Sequence, residues 1–267
     1  MLKSPIVFFR ILLSQRQLIV SMAKREVTGR YVGSLLGFFW MIAQPLVMIA
    51  VFWFVFSVGF RSKPMQDVPF VIWLTAGMAP WFVFSDIVLG ATNVIVGNTN
   101  LIKKTLFPPQ ILPLVKILSS SVTHLVFLLL IFVLILFYNM NNSWFFLQFF
   151  YYYFAMCVLA LGISLITSAV NVFIRDVGQI VGVIIQVGFW VTPIFWDIHM
   201  MPERVQLFVK LNPMFYVIQG YRESFISCVP FWHHPVLTLY FWIVTLVMFL
   251  SGILIFQKLQ PQFADVL

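Results

Sequence analysis

Six long apolar runs constrain this chain more than any other feature of its sequence. Each run is close to or longer than the roughly 20 residues that a helix needs to cross a bilayer. They cover residues 35–60, 70–96, 117–138, 144–173, 177–196 and 236–256. The runs are apolar on every face, whereas the strands of a membrane barrel alternate between apolar and polar residues. The sequence therefore predicts an all-α integral membrane protein with six transmembrane helices.

Little of the chain remains to fold outside the bilayer. Hydrophobic residues make up 62% of it and charged residues 9%, which is too little charge for the solvated surface of a soluble protein. We expect a cytoplasmic N-terminal segment, residues 1–34, and a transmembrane domain, residues 35–267. In the first segment, apolar residues at helical spacing predict an amphipathic helix along the membrane interface. They are Phe8, Phe9, Leu12, Leu13, Ile19 and Val20.

The distribution of positive charge predicts the orientation, because loops rich in Lys and Arg stay on the cytoplasmic side. With the N-terminus inside, eleven of the 16 Lys and Arg residues lie on the cytoplasmic side and five lie outside. Both termini are therefore expected in the cytoplasm. The net charge of +8 favours contact with anionic membrane lipids over nucleic-acid binding.

The outer segment between the fifth and sixth runs, residues 197–235, has a pattern of its own. Pro202 and Pro213 each suit the first turn of a helix, and Asn212 is placed as an N-cap. Two short helices are predicted, the second from Pro213 to about Ser227. Because the second is too apolar for a solvated loop, we interpret the pair as a re-entrant or interfacial gate hairpin. A folded external cap without function is the alternative.

Missing motifs narrow the class of transporter. The sequence has no Gly-x-x-x-x-Gly-Lys-Ser/Thr phosphate loop, and Lys104-Thr105 lacks the glycines that let backbone amides approach a phosphate. The chain is therefore expected not to hydrolyse ATP. Many ion-coupled carriers have relays of buried acids and bases. Here only Asp86 and His124 are placed at depth, and we expect Asp86 to be paired or to face a cavity.

Neither a metal site nor a disulfide is predicted. Cys157 lies inside the fourth run and Cys228 in the outer segment, so we expect both to be unpaired thiols. The histidines and acids of the outer segment do not follow the spacing of a zinc-ligand set. These residues are His199, His233, His234, Asp197 and Glu203.

Four motifs carry a resemblance to a known family. They are KREVTGRYVGSLLGFFW at 24–40 followed by Gln44-Pro45-Leu46, NTNLIKKTLFPPQILP at 98–113, NVFIRDV at 171–177, and Asn212-Pro213-Met214 with Tyr221-Arg222. In order and spacing the whole chain resembles the ABC-2 type polysaccharide export permeases. It departs from that pattern at Pro109, where an Arg is expected, and at Thr28, where a Lys or Arg is usual.

The resemblance implies a homodimer in which each copy pairs with a separate ATP-binding subunit that binds ATP and Mg²⁺. The assembly would export a lipid-linked polysaccharide, such as O antigen, capsule or teichoic acid, across the bacterial cytoplasmic membrane. This chain itself would need no cofactor. The resemblance and the exposed cytoplasmic segments together suggest contacts with the ATPase at Lys24, Arg25, Arg30, Asn100, Lys103, Lys104, Phe107, Pro108, Arg175 and Asp176.

Aromatic residues and glycines suggest further roles. Aromatic rings stack on the C–H faces of sugars, and we expect three tryptophans near helix ends or glycines to line the channel: Trp40, Trp190 and Trp196. The predicted outer gate contains Asn212, Pro213, Tyr221 and Arg222. Gly178 and Gly182 form a Gly-x-x-x-Gly pair in the fifth run, which predicts close packing within the protomer or at the dimer seam.

Three alternatives stay open from the sequence. An ABC-2 exporter of a lipid or drug would share the architecture, and glycosyltransferase genes nearby on the chromosome would favour polysaccharide. An ATP-independent carrier would work without a partner ATPase. A membrane-bound enzyme would lose activity when a single polar residue such as Asp86 or His199 is changed.

Overall fold

The computed structural model describes residues 5–30, 32–61, 68–104, 107–140 and 144–267, and these ranges are helical with short connections and no strand. The helices are α1 (Pro5–Ser14), α2 (Arg16–Gly29), α3 (Phe39–Trp53), α4 (Phe70–Gly97), α5 (Thr99–Lys104), α6 (Leu112–Phe137), α7 (Phe149–Phe173), α8 (Asp176–Val191), α9 (Glu203–Lys210), α10 (Pro213–Arg222), α11 (Pro235–Leu259) and α12 (Phe263–Val266). The predicted all-α class is confirmed for this part of the chain.

Five helical segments in the described ranges are long and apolar enough to cross a membrane. They are Phe39–Gly59, Phe70–Gly97, Pro109–Phe137, Trp144–Phe173 and Pro235–Val266. The first combines α3 with the π-helix Phe54–Gly59, and the third and fourth begin with 3₁₀ turns. These five correspond to five of the six predicted runs.

The predicted fifth span, 177–196, is not confirmed as a full-length helix. α8 has 16 residues and is therefore about 24 Å long at 1.5 Å per residue, below the roughly 30 Å of a hydrocarbon core. Pro193 explains where it ends. The residue before a proline is pushed out of the helical region, and Thr192 is extended with φ −75° and ψ 137°.

Two predicted helix starts also differ from the structure. α3 begins four residues later than expected, because Gly37 adopts a φ of +48° that a glycine accepts without strain. α6 begins five residues earlier, at Leu112. The charge of Lys116 places it just outside the apolar run 117–138, but it is buried inside α6, where carboxylates neutralise it.

The N-terminal segment forms two helices in place of one. α1 and α2 are separated at Gln15, and one face of α2 packs on the first turns of α6. Ile19 and Ala23 are buried there against Ile111 and Val115. By contrast Val20, assigned to the same apolar stripe, is 60% exposed. The amphipathic character is confirmed for Ile19, while the contact with a membrane interface stays a prediction.

α4 is the central helix of the bundle. It packs against α6, α7, α8 and α10, and most of its side chains are buried. On its far side α7 packs against α11, and their backbones meet at two glycines. A Cβ at Gly252 would lie 2.6 Å from the carbonyl oxygen of Gly162, so this contact depends on small residues in both helices.

The first and last helices lie at the same end of the bundle. α2 packs on the start of α6, next to the C-terminal half of α4, and α12 packs on α5 and on the end of α7. Phe263 in α12 contacts Phe173, the last residue of α7, with 6.2 Å between ring centroids. α1 also contacts α11. We call this the terminal end of the bundle, and the end formed by α9 and α10 the α10 end.

Candidate functional site

An ionic cluster joins the N-terminal helices to the bundle at the terminal end. It consists of Glu26, Arg30, Asp86 and Lys116. Lys116 Nζ lies 3.2 Å from Glu26 Oε1 and 3.1 Å from Asp86 Oδ1. Arg30 Nη2 lies 3.2 Å from Glu26 Oε1 and 3.2 Å from Asp86 Oδ2. Each cation therefore bridges both carboxylates, and the cluster has no net charge.

Local structure places these four side chains together. Glu26 and Arg30 are four residues apart, so they lie on one face of α2 and its C-terminal cap. Lys116 reaches Asp86 by lying across Gly90, where a Cβ would collide with its side chain. Ser120, one turn after Lys116, donates a 2.6 Å hydrogen bond to Asp86 Oδ2.

The cluster fixes α2 to α4 and α6 by charge as well as by packing. Burial on its own lowers the pKa of Arg30, but the Asp86 and Glu26 carboxylates outweigh it and raise the pKa above its usual value. Arg30 is therefore always charged. Side chains from α2 and its C-terminal cap, from α4 and from α6 are therefore joined in one cluster. The expectation that Asp86 is paired is confirmed.

Two cavities flank the ionic cluster. One of about 640 Å³ is lined by Arg30 and Asp86 at one side and by Trp40, Phe82 and other apolar side chains. The other, of about 650 Å³, lies between α2, α5 and α6 and is lined by Arg25, Asn100 and Lys116, among others. The second cavity brings together candidate coupling residues from α2 and α5 that are 75 positions apart in the sequence.

The other candidate coupling residues surround the same end. Lys24, Arg25, Asn100 and Lys103 are exposed, as a docking surface requires. Phe107 is half-buried, and it packs against the α2 to α6 contact. Pro108 is also half-buried. Lys104 ends α5, but its side chain lies outside the described residues, as do Thr105 and Leu106.

The turn between α7 and α8 is anchored at this end by one asparagine. Asn171 Nδ2 donates to the Thr92 carbonyl oxygen at 3.0 Å, and Asn171 Oδ1 accepts from the Gly178 backbone amide at 3.0 Å. The turn residues Arg175 and Asp176 are exposed. Because they are exposed next to the Asn171 anchor, both residues are accessible to a partner protein. Asp176 also lies in the first turn of α8, where the helix dipole stabilises a negative charge.

A buried arginine clamps the α10 end. Arg222 is 5% exposed, and its Nη1 and Nη2 donate to the carbonyl oxygens of Pro193 and Ile194 at 2.7 and 2.9 Å. Its guanidinium carbon lies 3.4 Å from the centroid of the Trp73 ring, a cation–π contact. Burial lowers the pKa of Arg222 to about 9, with Asp197 acting in the opposite direction, so it is cationic at neutral pH.

The three other predicted gate residues also hold α10 in place. The Asn212 side chain caps α10 by accepting from the Met214 amide, and its Nδ2 donates to Thr192 Oγ1 at 2.8 Å. Pro213 occupies the first turn. Tyr221 is fully buried, and its hydroxyl lies 2.9 Å from His124 Nε2 in α6. Two short helices are present at the predicted positions, and Asn212 is the N-cap of the second. Their role as an outer gate stays a prediction.

The three candidate channel tryptophans do not form one group. Trp40 lines the 640 Å³ cavity near the terminal end. Trp190 is 55% exposed, at the opposite end of α8 from Asp176. Trp196 lies next to it, and its Nε1 donates to the Trp190 carbonyl oxygen at 3.2 Å.

Several residues at these sites were not identified from the sequence. The sequence analysis did not predict that Glu26 and Lys116 belong to an ionic cluster, or that Trp73 contacts Arg222. The glycines of α4 could have indicated both sites, since an isolated glycine in a helical run often marks a close approach by another group. Gly77 lies beneath Arg222 and Gly90 beneath Lys116.

The described residues include the cysteines and histidines considered above. Cys157 and Cys228 are free thiols. His199 pairs with Asp197 and His234 pairs with Glu223. Across the described ranges no three His, Cys, Asp or Glu side chains converge as a metal site would require.

Membrane-length helices packed around α4 indicate an integral membrane protein. The family comparison gives the class of membrane protein. The chain matches the ABC-2 type transporter family over residues 17–226, and it belongs to that family. The resemblance seen in the motifs is thereby confirmed, and the chain is the membrane component of a transporter and not an enzyme.

The relatives are named as permeases and transport proteins. The chain is 29% identical over 252 residues to the O-antigen export system permease protein RfbA of Klebsiella pneumoniae, over 94% of this chain and 95% of the relative. It is 28% identical to the protein of that name from Myxococcus xanthus, over 81% and 83% of the two chains. It is 22% identical to the polysialic acid transport protein KpsM of Escherichia coli, over 79% and 81%.

Proposed function

We propose that this chain is the permease subunit of an ABC exporter that moves a lipid-linked polysaccharide across the bacterial cytoplasmic membrane. The observation that carries the proposal is the alignment with an O-antigen export permease over 94% of the chain. The relative named for polysialic acid also has a glycan in its name. A separate ATP-binding subunit would bind ATP and Mg²⁺ and drive the transport.

The ionic cluster supports a specific coupling route. The candidate ATPase contacts on α2 and α5 are exposed on one side of it, and α4 and α6 lie on the other. A push on α2 is passed on through Arg30 and Lys116, because each bridges the carboxylates of both Glu26 and Asp86. In this proposal the partner ATPase moves α2, and the cluster converts that movement into a displacement of α4 and α6.

A homodimer would form the translocation path. α3 and α8 share a surface, since Phe52 of α3 contacts Phe189 of α8 at 5.7 Å and stacks on Phe195 at 4.6 Å. Next to these contacts both helices expose apolar side chains to the outside of the protomer, including Val51 and Val187. We infer that this surface faces a second copy, and that the glycan passes along it next to Trp190 and Trp196.

The α10 end would form the outer gate. α10 is buried and fixed by Asn212, Tyr221 and Arg222, whereas α9 exposes Leu207 and Phe208 at 65% and 74%. This contrast supports a fixed α10 and a movable α9. An apolar exposed face on α9 suits a helix at the membrane interface.

The position of the chain ends supports six crossings with both termini in the cytoplasm. Because α1, α2 and α12 lie at the same end of the bundle, an even number of crossings is required. α8 would then be the sixth crossing element, with its short length completed by the connection through Pro193. A short span of this kind is tolerated by local thinning of the bilayer.

Depletion of the chain in its own bacterium tests the proposal. The expected result is loss of the glycan from the cell surface together with accumulation of the lipid-linked glycan on the cytoplasmic side. Complementation with the wild-type chain should reverse both. An unchanged surface glycan, with loss of some other exported lipid or drug, would contradict the polysaccharide assignment and support the alternative exporter class.

A further inference from the structure

A cavity at the α10 end is lined by both polar and apolar side chains. It has a volume of about 230 Å³ and lies between α4, the connection after α8, α9, α10 and the start of α11. Trp73, Phe215 and Leu237 form apolar parts of its wall. We call it the α10 cavity. It lies about 20 Å along α4 from the ionic cluster, since Trp73 and Asp86 are 13 residues apart at 1.5 Å each.

The polar groups of the α10 cavity come from four separate segments. Gln219 Nε2 donates to Glu223 Oε1 at 3.1 Å, and His234 Nε2 lies 3.1 Å from the same oxygen. Asp197 accepts from the backbone amide of His199 at 3.0 Å. Lys210, at the end of α9, also lines the wall. Hydrogen-bonding groups therefore surround the cavity instead of lying on one side of it.

One buried donor in this wall is unsatisfied. Arg222 lines the cavity and is 5% exposed, and its two terminal nitrogens are occupied by backbone carbonyls. Its Nε has no hydrogen-bond partner among the described residues and is itself buried. Arg222 therefore contributes positive charge to the wall, and direct hydrogen bonds to a ligand fall to the other polar groups of the cavity.

The balance of charge favours a neutral ligand over an anion. Two carboxylates, Asp197 and Glu223, face two cations, Lys210 and Arg222. Because the acids and the cations are equal in number, the wall offers a phosphate or a carboxylate no net attraction, whereas hydroxyl groups can donate to the carboxylates and accept from Lys210 and Gln219. The apolar wall at Phe215 suits the C–H face of a sugar ring.

We propose that the α10 cavity binds one pyranose unit of the exported glycan, with its hydroxyl groups held by Gln219, Glu223 and Lys210 and its C–H face against Phe215. The identity of the ligand rests on the proposed function. A site of this kind beside α10 makes the outer gate sensitive to the presence of a sugar unit, because Arg222 in its wall clamps the Pro193 connection.

Binding is tested with the full chain in lipid nanodiscs by saturation-transfer NMR. The probes are the methyl glycosides of glucose, galactose, mannose, rhamnose and N-acetylglucosamine, each titrated to obtain a dissociation constant. We expect at least one glycoside to bind. Gln219→Leu and Lys210→Met should each raise its dissociation constant about fivefold or more, the size of one net hydrogen bond.

The matched control is Gln206→Leu, the same change on α9 at a residue that does not line the cavity. It should leave the dissociation constant unchanged, and all variants should elute as the wild type does in size-exclusion chromatography. Three results would each overturn the proposal: no transfer to any of the glycosides, equal binding by the wild type and both cavity variants, or displacement of the glycoside by inorganic phosphate, which would show an anion site.

The outcome is independent of the depletion experiment. Normal glycan export by the wild-type chain without any glycoside binding would overturn the sugar site and leave the proposed function intact. Glycoside binding by a chain whose depletion leaves the surface glycan unchanged would contradict the proposed function.

Discussion

Two buried cations, Lys116 and Arg222, organise the two ends of the bundle. Each lies across a glycine of α4, Gly90 and Gly77. Their partners differ: two carboxylates neutralise Lys116, whereas two carbonyl oxygens and an aromatic ring stabilise the charge of Arg222. A buried cation is tolerated only with such partners, so the two groups are expected to contribute to stability and not only to transport.

Replacing Lys116 tests the ionic cluster. Lys116→Met leaves the carboxylates of Glu26 and Asp86 with Arg30 as their shared cation. We expect a loss of about 1–3 kcal/mol, less than for a fully buried pair because both carboxylates are about a third exposed. The measurement is the melting temperature of the purified chain in detergent. Lys258→Met, at an exposed position on α11, is the control. Equal melting temperatures for the two variants would show that the cluster contributes nothing measurable.

Replacing Arg222 by lysine tests the clamp while keeping the charge. An ammonium group cannot donate as a planar fork to the carbonyls of Pro193 and Ile194 and stack on Trp73 at once. We expect Arg222→Lys to lower stability by about 1–3 kcal/mol, measured as a reduced melting temperature. The control is Arg204→Lys on the exposed α9, which should melt as the wild type does. An unaffected Arg222→Lys protein would mean that charge alone is needed at this position.

At the scale of the helices, periodicity and composition predict much of the fold. Five of the six apolar runs are membrane-length helices, and Asn212 and Pro213 correctly mark the start of α10. The errors have physical causes. Pro193 shortens α8 by its effect on Thr192, and the charge of Lys116 made the predicted start of α6 too late. Contacts between helices could not be predicted from the sequence, because the pairing of Arg30 with Asp86 depends on how distant segments pack.

The seam between α7 and α11 tests a contact that the sequence did not reveal. By helix propensity alone, replacing a glycine by alanine stabilises a helix by up to about 1 kcal/mol. We predict the opposite sign for Gly252→Ala, because its Cβ would lie 2.6 Å from the Gly162 carbonyl oxygen. The measurement is again the melting temperature. Gly97→Ala at the end of α4, where a Cβ meets nothing within 4 Å, should be neutral or stabilising. A stabilised Gly252→Ala chain would refute the close approach.

At the scale of the whole molecule, the α3 and α8 surface exposes apolar side chains, among them Val51 and Val187. If that surface is the dimer seam, a cysteine at Val187 should form a disulfide with its counterpart in the second copy. We predict that Val187→Cys, with Cys157 and Cys228 changed to Ala, cross-links in membranes on mild oxidation. Ile243→Cys on α11, with similar exposure at 53% against 54%, is the control and should not. The reverse pattern would move the seam to α11.

We expect a separate ATPase to supply the energy with which this chain transports its substrate. Purification of the tagged chain from its own membranes, followed by ATP hydrolysis in lipid vesicles, tests this expectation directly. We predict a complex of two permease chains and two ATP-binding subunits that hydrolyses ATP. A chain that purifies without an ATPase, in a preparation that does not hydrolyse ATP, would contradict the expectation.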